Sequence, residues 1–196
     1  TQHRMIPAIG DLVSECFYGG DLKTVERAQE TSLAGAAPRP VTWYSTSRRS
    51  DRASRTVDGG TSHYNLCEVD EVTRLLGRID FRVQKGKGEK KRFSVAVLSG
   101  YAAQMERLNT AIATSRHKWS TYTDIFVNVV DAFQGREADI LIFSLTRSGA
   151  DTLGFLRDME RINVALSRGK ELLAIVGDHA FCQSVPDAVN PLREVL

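Results

Sequence analysis

Four short apolar runs rich in β-branched residues constrain the fold more than any other feature: residues 95–98, 125–130, 140–145 and 172–176. They are near-continuous rather than alternating, which suits strands buried on both faces of a parallel sheet. Residues 41–44 (VTWY) form a plausible fifth strand.

Between the runs lie helical patterns. Leu66, Val69, Val72, Leu75, Leu76 and Ile79 recur at helical spacing, and Asn65 with Glu68 three residues later predicts a capping box at that helix's start. Met105, Leu108, Ala111 and Ile112 form a second stripe, and Ile162, Ala165 and Leu166 a third. The segment after Pro7 forms a fourth, through Ile9, Leu12, Val13, Cys16 and Phe17. Strands alternating with helices indicate a layered α/β domain, and 196 residues suit one such unit over 1–196. Two polar stretches interrupt the pattern and are expected to be mobile loops. Residues 46–64 carry Arg48, Arg49, Arg52 and Arg55 against Asp51 and Asp58, and residues 84–92 contain KGKGEKKR. Either could meet phosphates, and either could be a solvated surface.

Composition removes several classes. Lysine and arginine total 26 against 24 acidic residues, a net charge of +2 that does not by itself argue for nucleic acid. No apolar run approaches the roughly 18 residues of a membrane helix. Cys16, Cys67 and Cys182 are scattered and odd in number, so buried reduced thiols in a cytoplasmic or nuclear protein are expected. The chain opens Thr1-Gln2-His3-Arg4-Met5 with no apolar leader, as a piece of a longer protein would. There is no GxxxxGK[ST] loop, GxGxxG fingerprint, HExxH or GxSxG, and no metal-ligand spacing. A stand-alone ATPase is not expected.

Three polar clusters remain, each at the edge of an expected element. The first is Gln2-His3-Arg4-Met5-Ile6-Pro7. The second, residues 129–139 (VVDAFQGREAD), is a turn through Gly135 joining two apolar runs. In open α/β sheets, binding groups gather where loops leave the carboxyl ends of strands. The third, residues 161–170 (RINVALSRGK), sets Arg161 and Arg168 seven residues apart. On one continuous helix they would lie about 20° apart around the axis and roughly 10 Å along it, two forked cations suited to phosphate oxygens.

In this order the clusters resemble motifs of superfamily 1 helicases. TQHRMIP resembles motif IV, VDAFQGREADILIFSLTRS motif V and ERINVALSRGK motif VI, while FSVAVLSGYAAQMERL is similar to motif IVa. The likeness is greatest to the branch of the nonsense-mediated-decay RNA helicase and its senataxin-like relatives, and it runs to about residue 178.

The resemblance implies a RecA-like, mostly parallel sheet with helices on both faces and no phosphate loop. It implies the second, C-terminal domain of a motor whose N-terminal RecA-like domain holds most of ATP and Mg2+. Arg4 and Arg168 match arginines that reach the terminal phosphate. Gln2, His3, Gly135, Glu137 and Arg161 match nucleotide-side positions, and Ser99, Gly100, Tyr101, Val129 and Asp131 positions facing single-stranded RNA or DNA. No metal ligand is implied within this chain. Against the common pattern, His3 stands for tyrosine, Ile6 for histidine, Gly100 for proline, Val129 for Ser or Thr and Gly169 for alanine. Gly100 is expected to loosen its loop. Two other readings compete: a helicase-derived module that binds nucleic acid or protein without hydrolysis, and a small Rossmann-like enzyme. The first has no use for Arg4, Arg168 and Glu137; the second has no glycine fingerprint or nucleophile–base pair here.

Overall fold

The computed structural model describes all residues except 87–90, 150–152, 187–189, 191, 193, 194 and 196. Its strands are β1 (Val41–Ser45), β2 (Arg55–Thr56), β3 (His63–Tyr64), β4 (Phe93–Ser99), β5 (Tyr122–Val129), β6 (Ala138–Ser144) and β7 (Gly169–Gly177). Its helices are α1 (Pro7–Tyr18), α2 (Leu66–Lys85), α3 (Ala102–Ser115), α4 (Met159–Leu166) and α5 (His179–Ser184).

Five strands form one sheet in the order β1-β7-β6-β4-β5, and every neighbouring pair is parallel. Period-two geometry explains why the runs are apolar throughout, since successive side chains enter opposite layers. Ala96, Leu98, Leu141, Phe143, Leu173 and Ile175 pack with α1 and α4 residues such as Ile9, Val13, Ile162 and Leu166. Val95, Val97, Ile140, Ile142, Ala174 and Val176 face the other way, onto Val72, Leu76 and Ile79 of α2 and Leu108 and Ile112 of α3. This is the RecA-like α/β architecture, with helices on both faces.

Local signals set the helix ends. Pro7 opens α1, where its missing N–H costs nothing, and Gly19 closes it at φ +57°. Asn65 caps α2 by accepting from the Glu68 backbone N–H (3.2 Å). The expected capping box is only half made: the Asn65 N–H goes to Gln104 Oε1 (2.8 Å), and the Glu68 carboxyl turns inward.

Residues 46–64, expected as a mobile loop, hold the antiparallel β2–β3 hairpin and several anchors. Arg49 pairs with Asp51 (2.9 Å) and Asp70 (3.0 Å), and Arg52 pairs with the buried Asp178 (3.0 Å). Ser47 also reaches Asp178 (2.8 Å), and Ser54 N–H donates to the Ser148 carbonyl (3.1 Å). Arg48 and Arg55 stay exposed. Much of the second basic stretch lies outside the described residues, but Lys91 pairs with Glu30 (2.9 Å) and Arg92 donates to the Tyr122 carbonyl (2.6 Å). All three cysteines are buried. Among the described residues no helix is long and apolar enough to cross a membrane.

Candidate functional site

Register places two polar clusters at opposite edges of the sheet. Ala138 and Gly169 pair at the amino ends of β6 and β7, whereas Ser99, Val129 and Ser144 align at carboxyl ends. At about 3.3 Å per residue, the length of β6 separates these edges by about 20 Å.

At the amino edge three backbone segments converge. Ile6 N–H donates to the Lys170 carbonyl (3.0 Å), and Ala138 N–H donates to the Arg168 carbonyl (3.1 Å). Together these bonds bring Arg4, Glu137 and Arg168 side by side. Arg4 Nε donates to Glu137 Oε2 (2.8 Å) and its Nη1 to the Ser167 carbonyl (3.3 Å). Lys170, which the motif reading did not single out, bridges Asp139 (2.7 Å) and approaches Glu137 (3.9 Å). The segment from β5 to β6 therefore returns across the sheet and delivers Glu137 to the amino edge, not to the carboxyl edge that the general rule for open sheets favours.

Arg168 differs from its neighbours. It is half-buried, and its Nε is buried with no hydrogen-bond partner. Burial, then the nearby positive charge of Arg4, pulls its pKa below the ordinary arginine value. No carboxylate pairs with it among the described residues. A forked cation held this way, beside a second cation in an exchangeable surface pair, fits an anion with several oxygens such as a terminal phosphate. Among the described residues no group of three His, Cys, Asp or Glu could hold a metal ion.

The remaining nucleotide-side positions distribute unevenly. His3 is exposed next to Arg4. The Gln2 amide is consumed by its own turn, accepting from Met5 N–H (2.9 Å) and donating to Met5 O (3.2 Å), so it shapes the backbone that carries Arg4. Gly135 adopts φ +81° with nothing within 4 Å of where a Cβ would sit, so the left-handed turn is what requires glycine within the domain. The helix expected to carry both Arg161 and Arg168 does not reach that far. The helix α4 ends at Leu166, Ser167 caps it, and Arg168 lies in the turn beyond, so the one-helix geometry does not apply. Arg161 sits near the opposite end of α4, on Asp131 (3.2 Å) and Asp158 (3.4 Å), 5.5 Å from the Phe155 ring.

The carboxyl edge holds the positions expected to face a strand. Ser99 does not face one. It is fully buried, its hydroxyl bridging Thr146 Oγ1 (2.9 Å) and the Tyr101 N–H (3.3 Å). Tyr101 is half-buried, edge-on to His63 (5.2 Å), and its hydroxyl accepts from the Phe155 N–H (3.0 Å). Val129 is half-buried at the end of β5, while Asp131 is exposed beside Arg161. A Cβ on Gly100 would lie 2.2 Å from the Phe155 ring, so the residue expected to loosen the loop instead admits that ring. Gly100→Ala is expected to destabilise the chain by about 1–3 kcal/mol through overpacking, read as a lower denaturant midpoint. An unmoved midpoint would show that Phe155 can swing aside freely.

Beneath this edge lies a buried polar group that motif reading did not assign. Glu68 is fully buried; Ser144 Oγ (2.6 Å) and Thr146 N–H (2.8 Å) both donate to its Oε2. Burial pushes its pKa up to about 8 against the opposing pull of those donors. Asp178 goes the other way: bonds from Ser148 and Ser47, with the Arg52 charge, outweigh burial and hold it below the usual carboxylate range. His63 is lowered by burial and by Arg147, which donates to its Nε2 (2.7 Å). Only the Asn65–Glu68 spacing points to this group in the sequence, and that spacing is also an ordinary helix cap.

A RecA-like domain with an arginine-lined amino edge and an aromatic carboxyl edge defines the class, and comparison with known proteins agrees. A family model described as an AAA domain matches residues 1–180. The chain is 33% identical over 182 residues to a Regulator of nonsense transcripts 1 homolog of Neurospora crassa, covering 91% of this chain and 16% of that protein. It is 32% identical over 197 residues to DNA polymerase alpha-associated DNA helicase A of Saccharomyces cerevisiae, covering 91% and 27%. It is 33% identical over 181 residues to Helicase sen1 of Schizosaccharomyces pombe, covering 90% and 10%. The chain belongs to this AAA-domain family, as a superfamily 1 helicase domain of the nonsense-mediated-decay and senataxin-like branch. It spans between a tenth and about a quarter of the length of these three relatives.

Proposed function

We propose that this chain is the C-terminal motor domain of an ATP-dependent nucleic-acid helicase or translocase. In this reading it lends Arg4 and Arg168 to ATP and Mg2+ held mainly by an N-terminal RecA-like domain of the same polypeptide. Glu137, His3 and Gly135 border that nucleotide. The carboxyl edge, with Tyr101, Val129, Asp131 and now Arg161, faces single-stranded RNA or DNA, and Ser99 and Gly100 shape that edge from beneath. The cytoplasm or nucleus is its place of work.

The observation that carries this is Arg168: a half-buried guanidinium with an unpartnered Nε, facing another arginine, at the edge away from the strand. Phosphoryl transfer spreads negative charge over the terminal phosphate, and a cation placed in advance stabilises that charge. The Arg4–Glu137 pair is exposed enough that exchanging the carboxylate for phosphate costs about 1 kcal/mol or less. Closing two domains on ATP and reopening them after hydrolysis moves the strand-gripping edges relative to one another.

The test compares two preparations. The full natural protein is expected to hydrolyse ATP faster when single-stranded nucleic acid is added, and residues 1–196 alone are expected to hydrolyse none. Turnover by the isolated chain overturns the two-domain account.

A further inference from the structure

The segment Ser144–Ser148, where β6 leaves the sheet, is held from below at nearly every residue. Its centre is Thr146, at φ +70° the one described non-glycine residue with positive φ. A β-branched side chain is strained there and persists only where its surroundings over-determine it. The surroundings are specific. Glu68 Oε2 accepts from both Ser144 Oγ and Thr146 N–H, and Asn65 Nδ2 donates to the Thr146 carbonyl (3.2 Å). Ser99 Oγ meets Thr146 Oγ1, and Gln104 Nε2 donates to Ser144 Oγ (2.9 Å). Beyond the strained residue, Arg147 reaches His63, which packs on Tyr101, and Ser148 Oγ donates to Asp178 (2.6 Å).

We infer that Glu68 is a positioning residue for nucleic-acid binding: it fixes Thr146 in its left-handed conformation and so sets the buried Arg147, which holds His63 and through it Tyr101 at the strand-facing edge. The inference rests on the strand-binding reading above and adds to it the group that shapes the edge. Glu68 has no solvent exposure and touches no ligand itself. Two donors converge on one of its oxygens, and glutamine cannot keep that acceptor pair while also placing an amide opposite Asn65 Nδ2, itself a donor 3.4 Å from Oε1.

The test uses the full natural protein with labelled single-stranded oligonucleotides, ribo and deoxy, read by anisotropy and by stimulation of ATP hydrolysis. Glu68→Gln is expected to raise the oligonucleotide Kd, and the concentration for half-maximal stimulation, about five-fold or more, the change that releasing one strained residue corresponds to. The KM for ATP and the saturated kcat are expected to hold; a general loss of folded protein would lower kcat and leave Kd alone. Adding Thr146→Gly to Glu68→Gln is expected to restore most of the affinity, because glycine adopts that φ without strain. Should Glu68→Gln fail to fold, Ser99→Ala removes one hydroxyl from the same residue and is expected to weaken binding about two-fold or more. Wild-type affinity in whichever of these two single variants folds, or a double variant no better than Glu68→Gln, overturns the positioning role alone. Failure of the unaltered protein to bind either oligonucleotide overturns the strand-binding reading and this inference with it.

Discussion

Arg168→Ala in the full natural protein is expected to slow ATP hydrolysis on the order of 10³-fold or more while leaving single-strand affinity within about two-fold. The separation follows from position. Arg168 sits in the turn between α4 and β7, beside Arg4 and Glu137, and the residues proposed to face the strand lie about 20 Å away across the length of β6. Its Nε has no partner to lose, so truncation breaks no internal hydrogen bond at that atom and removes a like charge next to Arg4. Folding is therefore expected to survive the change. Arg168→Lys is expected to recover little, because a single ammonium cannot reproduce the paired donors of a guanidinium on adjacent phosphate oxygens. Turnover within about ten-fold of the unaltered protein would remove Arg168 from the chemistry. The neighbouring Arg4→Ala is a weaker probe, since it also frees Glu137 and a backbone carbonyl.

How far the sequence alone reached depends on which physical signal each part carries. The sheet was legible because each buried strand is apolar on both faces, so residues 95–98, 140–145 and 172–176 stand out without help. The β2–β3 hairpin was not: strands of two residues, Arg55–Thr56 and His63–Tyr64, carry no hydrophobic period, and long-range bonds to Asp178 and Ser148 hold the region. Arg4, Glu137 and Arg168 lie together because Ile6 bonds to the Lys170 carbonyl and Ala138 to the Arg168 carbonyl, contacts that no local pattern shows. The shared face expected for Arg161 and Arg168 fails because a helical wheel assumes a helix, and α4 stops two residues before Arg168. Ser99 was misplaced because a hydroxyl in a turn reads alike whether it faces solvent or a buried threonine. Glu68 is the instructive case. An Asn with a Glu three residues on is an ordinary helix start, and only the tertiary structure shows that the carboxyl abandons the cap for the β6 exit.

That buried carboxyl is expected to leave a signature in stability against pH. With its pKa raised from 4.5 to about 8, the folded chain retains a proton that the unfolded chain has released. Stability from this group is therefore fully present below about pH 4.5 and is lost as pH rises through about 8. At about 1.4 kcal/mol per unit, the whole window is on the order of 5 kcal/mol. Other groups act differently. Asp139 and Asp178, both lowered, contribute above the unfolded carboxylate range and lose their contribution as pH falls, outside this window. His63, lowered from 6.5, opposes Glu68 in part, since the unfolded imidazole takes up a proton that the folded one refuses. The informative quantity is thus the difference between the unaltered chain and Glu68→Gln, in which His63 is common to both. Urea unfolding from about pH 5 to 8.5 is expected to show the unaltered chain losing stability more steeply than the variant, whose curve is displaced by lost hydrogen bonds but flatter. Parallel curves would mean that Glu68 is ionised in the folded chain throughout, with Ser144, Thr146 and Asn65 stabilising the charge in full.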